Sequence, residues 1–214
     1  MASLDRLGER GFIDLVAGLS RALRPRPVLG IGDDAAVLAL PPRAEVLLTT
    51  DLLTEGIHFR AAYTPGFLLG RKALAVNLSD IAAMGGVPHS FVAAIGFPRH
   101  TPERYARDVA AGLVDQARRS GVALVGGDTC AARALFLAVT LLGVVEKGRA
   151  VPRGGARPGD GLYVTGSLGV SAAGLALLRR GARLAGRRGR TVRGGRLRPA
   201  VRPHAARGGG RRGR

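Results

Sequence analysis

The chain has 214 residues, 46% of them apolar, which is enough for one sizeable α/β domain with a core of Leu, Val and Ala, since aromatic residues make up only 4%. No charge-free apolar run approaches the roughly 18–20 residues of a membrane span, Asp5 and Glu9 break the basic-then-apolar order of a signal peptide, and the single Cys130 excludes an internal disulfide, so the chain reads as cytoplasmic with no membrane partner. The formal charge of +18 is concentrated: 14 of the 33 basic residues and none of the 15 acidic ones fall in 179–214, so residues 1–178 carry only +4 and lack the charge signature of a nucleic-acid-binding body.

Leu4, Leu7, Phe12, Leu15, Val16, Leu19 and Leu23 recur at helical spacing and predict a first helix that stops at "RPRP". "GIGDDAAV", Gly30 to Val37, then matches a loose G-x-G-x-x-A pattern. A dinucleotide fingerprint needs a strand before its glycines and a helix after them. Here a proline-rich segment precedes and the strand-like "AAVLAL" follows, so that reading fails. "AAVLAL" and "EVLLTTDLL" predict short buried strands separated by Pro41-Pro42.

Pro65 to Met84 predicts a helix closed by Gly85-Gly86, with Leu74, Leu78 and Ile81 on one face and Ala73, Asn77 and Asp80 on another. "SFVAAIGF" reads as a strand and "TPERYARDVAAGLVDQARRS" as a helix with Thr101 as N-cap and Gly121 beyond its end. "VALVGG" and "ALFLAVTLLGVV" read as strands. A loop through "PRGGARPGD", a strand "GLYVTG" and a helix near Ala172 to Leu178 complete the body. Strands and helices mix without a strict βαβ rhythm, which predicts a mixed-sheet α/β (α+β) domain.

The Walker pattern is absent and only two lysines occur, Lys72 and Lys147, so a bound phosphate would have to be neutralised by something other than a lysine loop. Acidic residues recur at the ends of predicted elements: Asp34, Asp51, Asp80 in "NLSD" and Asp128 in "VGGD". Mg²⁺ prefers hard oxygen ligands and commonly bridges a few carboxylates to substrate phosphates. On an extended segment Asp33 and Asp34 point to opposite faces and do not share an ion. Each residue also has a plainer reading: Asp after a strand as a turn former or cap, Asp80 as a solvated charge, His58 as a surface or capping histidine. Spacing alone leaves both readings open.

In order and spacing, "GIGDDAAV", "TTDLLTEGIHF", "RKALAVNLSDIAAMGGVP", "LVGGDT" and "GRAVPRGGARPGDGLYVTGSLGVSAAGLALL" resemble the N-terminal part of the thiamine-monophosphate kinase family over about residues 4–178. That family belongs to the wider aminoimidazole ribonucleotide synthetase-like superfamily. The resemblance implies the superfamily's mixed-sheet N-terminal domain and ATP-dependent phosphorylation of thiamine monophosphate to thiamine diphosphate, with several Mg²⁺ ions and ATP as co-substrate. It implies Asp34, Thr49, Thr50, Asp51, Asp80 and Asp128 as metal ligands, Gly127, Asp128 and Arg153 at the nucleotide, and His58 at the thiamine substrate. No side chain is implied as acid, base or nucleophile. Homodimers formed by pairing of the N-terminal sheets are also implied.

These readings divide the chain into an ATP/Mg-binding domain (1–150), the start of a C-terminal domain (151–178) and an Arg/Gly-rich tail (179–214) expected to be disordered. After "SAAGLALL" the family continues through a "DISDGL"-type segment and a second α/β domain, which the tail replaces, so the C-terminal domain is expected to be largely missing and activity impaired. The tail reads either as the product of a shifted GC-rich frame or as a basic arm for RNA or DNA. Two rival functions stand beside the kinase: another ATP-using member of the superfamily, and an inactive, dimerising ATP/Mg-binding module with that basic arm.

Overall fold

Alternation along "FLAVTLLGVV" buries Leu137, Val139, Leu141 and Val145 on one side of β4 (Phe136–Glu146), as period-two geometry requires. The computed structural model describes residues 4–32, 34–164, 166–181, 184–185 and 191–192. β4 is flanked by β1 (Ala44–Thr54) and β2 (Val87–Phe97), antiparallel to both, and β2 pairs in parallel with β3 (Ala123–Ala131). The sheet order is β1-β4-β2-β3, so β1 and β3 are its edges. It is the mixed sheet that the sequence predicts.

Three helices cover one face: α1 (Leu4–Ser20), α2 (Gly66–Ala83) and α3 (Glu103–Ser120). Their apolar faces join the sheet in one core containing Phe12, Leu74, Ile81, Phe91, Val109 and Leu141. α2 and α3 approach to backbone contact: a Cβ at Gly70 would fall on the Val109 carbonyl oxygen, and one at Gly112 on the Phe67 carbonyl oxygen. α3 ends at Gly121, which adopts the left-handed conformation (φ 66°, ψ 35°) and returns its N–H to the Ala117 carbonyl. Among the described residues nothing covers the opposite face of the sheet, where Val46, Leu48 and Leu52 are 51%, 70% and 53% exposed.

Several local expectations are corrected. α1 ends at Ser20 rather than Leu23 and is interrupted at Gly8 (φ 65°, ψ 174°). "AAVLAL" is not a strand. Val37 makes one isolated bridge to Leu29, and residues 38–43 join no strand among the described residues, Pro41-Pro42 lacking the N–H groups that a ladder needs, although the Arg43 carbonyl accepts the Lys147 N–H at 3.3 Å. Thr101 is buried and does not cap α3, whose N-cap is Pro102 without a side-chain bond. In "GLYVTG", residues 161–164 form no strand: Leu162 and Tyr163 are almost wholly exposed, and strand residues need a partner to satisfy their backbone.

The last predicted helix is present as α4 (Val170–Arg179), with Gly174 its buried residue. Beyond it, β5 (Leu184–Ala185) and β6 (Thr191–Val192) form a short antiparallel pair. The expected disorder and nucleic-acid contacts of the tail concern residues that lie largely outside the described set, including all of 193–214.

Candidate functional site on the β1–α2 seam

β1 presents Thr49, Asp51 and Leu53 toward the helices and Thr50 and Leu52 toward the uncovered face. Thr49 Oγ1 donates to Asp80 Oδ2 at 2.9 Å, tying β1 to α2. Eight residues back along α2, Lys72 Nζ donates to the His58 carbonyl at 2.7 Å. Strand and helix therefore run in opposite directions along one seam. Burial of the Lys72 amine lowers its pKa, since the charged form loses hydration.

His58 closes a tight turn after β1. Its N–H donates to the Thr54 carbonyl at 2.9 Å, and its ring Nδ1 accepts the Thr54 N–H at 3.1 Å. A backbone N–H can only donate, so Nδ1 keeps its lone pair and Nε2 carries the ring proton. Glu55 Oε1 accepts the Ala61 N–H at 3.2 Å, and buried Phe59 anchors the turn in the core. The turn holds exposed His58 in one orientation.

The remaining predicted residues lie elsewhere. Thr50 is on the opposite face from Thr49, where its hydroxyl donates to the Val139 carbonyl and accepts from Thr140 Oγ1, each at 3.1 Å. Asp128 is exposed on β3, and its Oδ1 accepts the Thr129 N–H at 2.8 Å. Gly127 lies so close to β2 that a Cβ there would fall on the Ala93 carbonyl oxygen. Register places Asp51, Val139, Ala93 and Gly127 in one row across the sheet. With strands about 4.8 Å apart, the two ends of that row are roughly 14 Å from each other.

Asp34 sits between bridge residues Leu29 and Val37, in a loop beside β3: a Cβ on nearby Gly30 would stand 3.9 Å from the Val125 carbonyl. Asp33 lies outside the described residues. Arg153 belongs to an exposed segment without regular structure. The predicted set therefore divides into a β1–α2 group (Thr49, Asp51, Asp80, His58) and a β3-edge group (Asp34, Gly127, Asp128). Among the described residues, no three His, Cys, Asp or Glu side chains form a group able to hold an ion. A cavity of about 320 Å³ beside Phe12, Phe97, Arg99 and Cys130 contains none of the predicted residues.

Two groups on α2 are missing from the sequence-derived set. Lys72 is one, because nothing in the spacing links it to the His58 carbonyl. Asn77 is the other, although its place three residues before Asp80 on the same predicted face was a usable signal. Asn77 has no exposed surface. Its Nδ2 donates to the Ala73 carbonyl at 3.1 Å, while its Oδ1 has no partner. An unpaired buried amide oxygen carries a desolvation cost of about 1–3 kcal/mol. The carboxylates of Asp51 and Asp80 and the Thr49 hydroxyl are all hard oxygens. Such a donor set fits Mg²⁺, which keeps several waters and needs few protein ligands.

Residues 32–145 match the family model for AIR synthase related protein, N-terminal domain. The chain is 38% identical over 167 residues to thiamine-monophosphate kinase of Bacillus subtilis, covering 75% of this chain and 51% of that protein. It is 41% identical over 171 residues to that of Escherichia coli K12, covering 80% and 52%. Among solved structures, thiamine-monophosphate kinase from Stenotrophomonas maltophilia superposes with a TM-score of 0.71 at 38% identity, covering 82% of this chain and 54% of the other. A structure described as AaThiL complexed with AMPPCP and TMP superposes with a TM-score of 0.61 at 33% identity, covering 84% and 55%. The chain thus spans about half the length of the relatives it matches. Motifs, mixed sheet and covered face agree with these matches, and the chain belongs to the AIR synthase related family through its N-terminal domain.

Proposed function

We propose that this chain carries the nucleotide- and metal-binding half of an ATP-dependent kinase that phosphorylates thiamine monophosphate to thiamine diphosphate. The observation that carries the reading is the joining of Thr49, Asp80 and the His58 turn along one seam by two direct hydrogen bonds, Thr49 to Asp80 and Lys72 to His58. The relatives' names, and the ATP analogue and TMP in the AaThiL complex, support the same substrates.

In the proposed reaction the bond between the γ-phosphorus of ATP and its bridging oxygen breaks. A bond forms to a phosphate oxygen of thiamine monophosphate, and ADP departs with the electron pair. Thr49, Thr50, Asp51, Asp80, Asp34 and Asp128 are the groups that would hold Mg²⁺, with Gly127, Asp128 and Arg153 at the nucleotide and His58 presenting Nε2–H to the thiamine substrate. When bound, the ions neutralise the repulsion between two phosphate-bearing substrates. The protein's part is alignment: the Thr49–Asp80 bond fixes one carboxylate, and the Thr54–His58 bond fixes the ring.

The division of the predicted ligands between opposite sheet edges favours a dimer within this reading. A two-fold axis parallel to the strands would lay one uncovered face on another, covering Val46, Leu48 and Leu52 and setting the β3 edge of one copy over the β1 edge of its partner. A cytoplasmic location belongs to the same proposal. No helix among the described residues is long and apolar enough to cross a membrane.

A second reading, a dimerising ATP/Mg-binding module without turnover, rests on the division of the predicted ligands between the two sheet edges, which leaves no ion-holding group of three such side chains among the described residues. Incubation with ATP, Mg²⁺ and thiamine monophosphate, followed by chromatography for thiamine diphosphate, separates the two. Product supports the kinase; Mg²⁺-dependent nucleotide binding without product supports the module; absence of both rejects the nucleotide site.

A further inference from the structure

His58 is held at three atoms. Its N–H donates to the Thr54 carbonyl at 2.9 Å, its ring Nδ1 accepts the Thr54 N–H at 3.1 Å, and its carbonyl accepts from Lys72 Nζ at 2.7 Å. The first two bonds lie within the turn and travel with it. The third crosses from the turn to α2.

What this third bond does follows from the helix it comes from. α2 is a stiff reference: it meets α3 at backbone contact through Gly70, and it carries Asp80 eight residues beyond Lys72, about 12 Å along the axis. Buried Phe59 also attaches the turn to the core, but apolar contact is non-directional and does not fix the peptide joining it to His58. A hydrogen bond to the His58 carbonyl gives that peptide a direction. Tyr105 pins the far end of the same loop, its hydroxyl donating to the Thr64 carbonyl at 3.0 Å, six residues past the histidine. The tie that reaches the histidine itself comes from Lys72. Loss of hydration at its amine lowers the pKa, and a partly dehydrated donor holds its acceptor more firmly than a fully solvated one.

We propose that Lys72 is a positioning residue: through the His58 carbonyl it fixes the His58 ring relative to Asp80, and so sets where the thiamine substrate stands against the metal-held phosphates. The inference rests on the proposed roles of His58 at the substrate and Asp80 at the metal. Neither the relatives' names nor the predicted site residues include Lys72.

The test uses the full 214-residue chain with ¹⁵N-labelled histidines at mildly alkaline pH, the His58 ring signals being those lost in His58→Gln. Wild type is expected to show the widely split ring nitrogens of a single Nε2–H tautomer. Lys72→Met is expected to draw them together toward the averaged values of free imidazole. The same variant is expected to bind thiamine monophosphate about tenfold more weakly, since the loosened ring must be ordered on binding, with Mg²⁺-dependent binding of an ATP analogue held within about twofold. Lys72→Arg, which returns a donor, is expected to restore the ring signature and the affinity together. A merely structural role would weaken both ligands alike. Where Lys72→Met does not fold, Lys72→Gln carries the same comparison. Ring nitrogens in the Met or Gln variant that match wild type would overturn the positioning role, whatever happens to binding. A displaced ring with unchanged affinity for thiamine monophosphate, or no binding of it by wild type, would instead remove His58 from the substrate site and this inference with it.

Discussion

Thr49 and Asp80, 31 positions apart in sequence, meet through a hydroxyl-to-carboxylate hydrogen bond of 2.9 Å that joins the edge strand β1 to α2. The bond engages Asp80 Oδ2 and keeps the carboxylate at an exposed position. Replacing Asp80 with Asn removes the charge while preserving an oxygen that can accept from Thr49. Asp80→Asn is therefore expected to melt within about 0.5 kcal/mol of wild type, as exposed substitutions do. Mg²⁺-dependent binding of a fluorescent ATP analogue should fall at least about tenfold. Equal titration curves for the two proteins would take Asp80 out of the ligand set.

The α2–α3 contact makes a prediction about stability alone. Gly112 touches the Phe67 backbone so closely that even a methyl group has no room, and the obstacle is a carbonyl that cannot rotate aside. Gly112→Ala must push the two helices apart, with a cost of about 1–3 kcal/mol and occasionally more. The helix propensity gained by Ala, about 1 kcal/mol, opposes this only in part. Urea unfolding measures the balance. A midpoint at or above that of wild type would show that the helices separate freely.

The uncovered sheet face tests the proposed dimer. Leu48 and Leu52 project from β1 into solvent, so charges there leave the core untouched. Leu48→Lys combined with Leu52→Lys is expected to convert a dimer to a monomer in light scattering with little change in the monomer's far-ultraviolet spectrum, because like charges would face each other across the two-fold. A double variant that stays dimeric would place the interface elsewhere.

Much of this architecture is legible in the sequence, for identifiable reasons. α2 and α3 carry long periodic patterns, and β4 alternates cleanly, so their existence follows from burial alone. "AAVLAL" is as apolar as a strand yet pairs at one residue, since strand formation depends on a partner edge that local sequence does not encode. "GLYVTG" fails likewise, Leu162, Tyr163 and Val164 being exposed with no strand beside them among the described residues. Motif likeness singles out Thr49, Asp80 and His58, of which Thr49 and Asp80 touch while His58 is tied to Lys72, about two helical turns along the same seam. It cannot show that Asp128 stands at the far edge, because strand order β1-β4-β2-β3 is set by pairing between distant segments. Nor does it reveal Asn77's lone oxygen, a property of burial and hydrogen bonding in the folded chain.

Lys72 gives a pH-dependent prediction whose sign follows from its surroundings. Partial burial disfavours the ammonium and lowers its pKa, although the bond to the His58 carbonyl persists. Between the lowered folded value and the ordinary unfolded one, the unfolded chain binds more protons, so stability rises with pH across that window. Below both values the cost of the buried charge is fully present; above both it is gone. Lys72→Met keeps the aliphatic stem and removes the titration, so wild type should gain stability relative to the variant as pH climbs toward the ordinary lysine range. Acetylation supplies a direct reading: followed by peptide mass spectrometry, its rate at Lys72 should reach half-maximum at a lower pH than in an N-acetyl-lysine standard once access is normalised. A midpoint at or above the standard would mean that burial along the seam does not govern this amine, and that the His58 carbonyl holds its charged form instead.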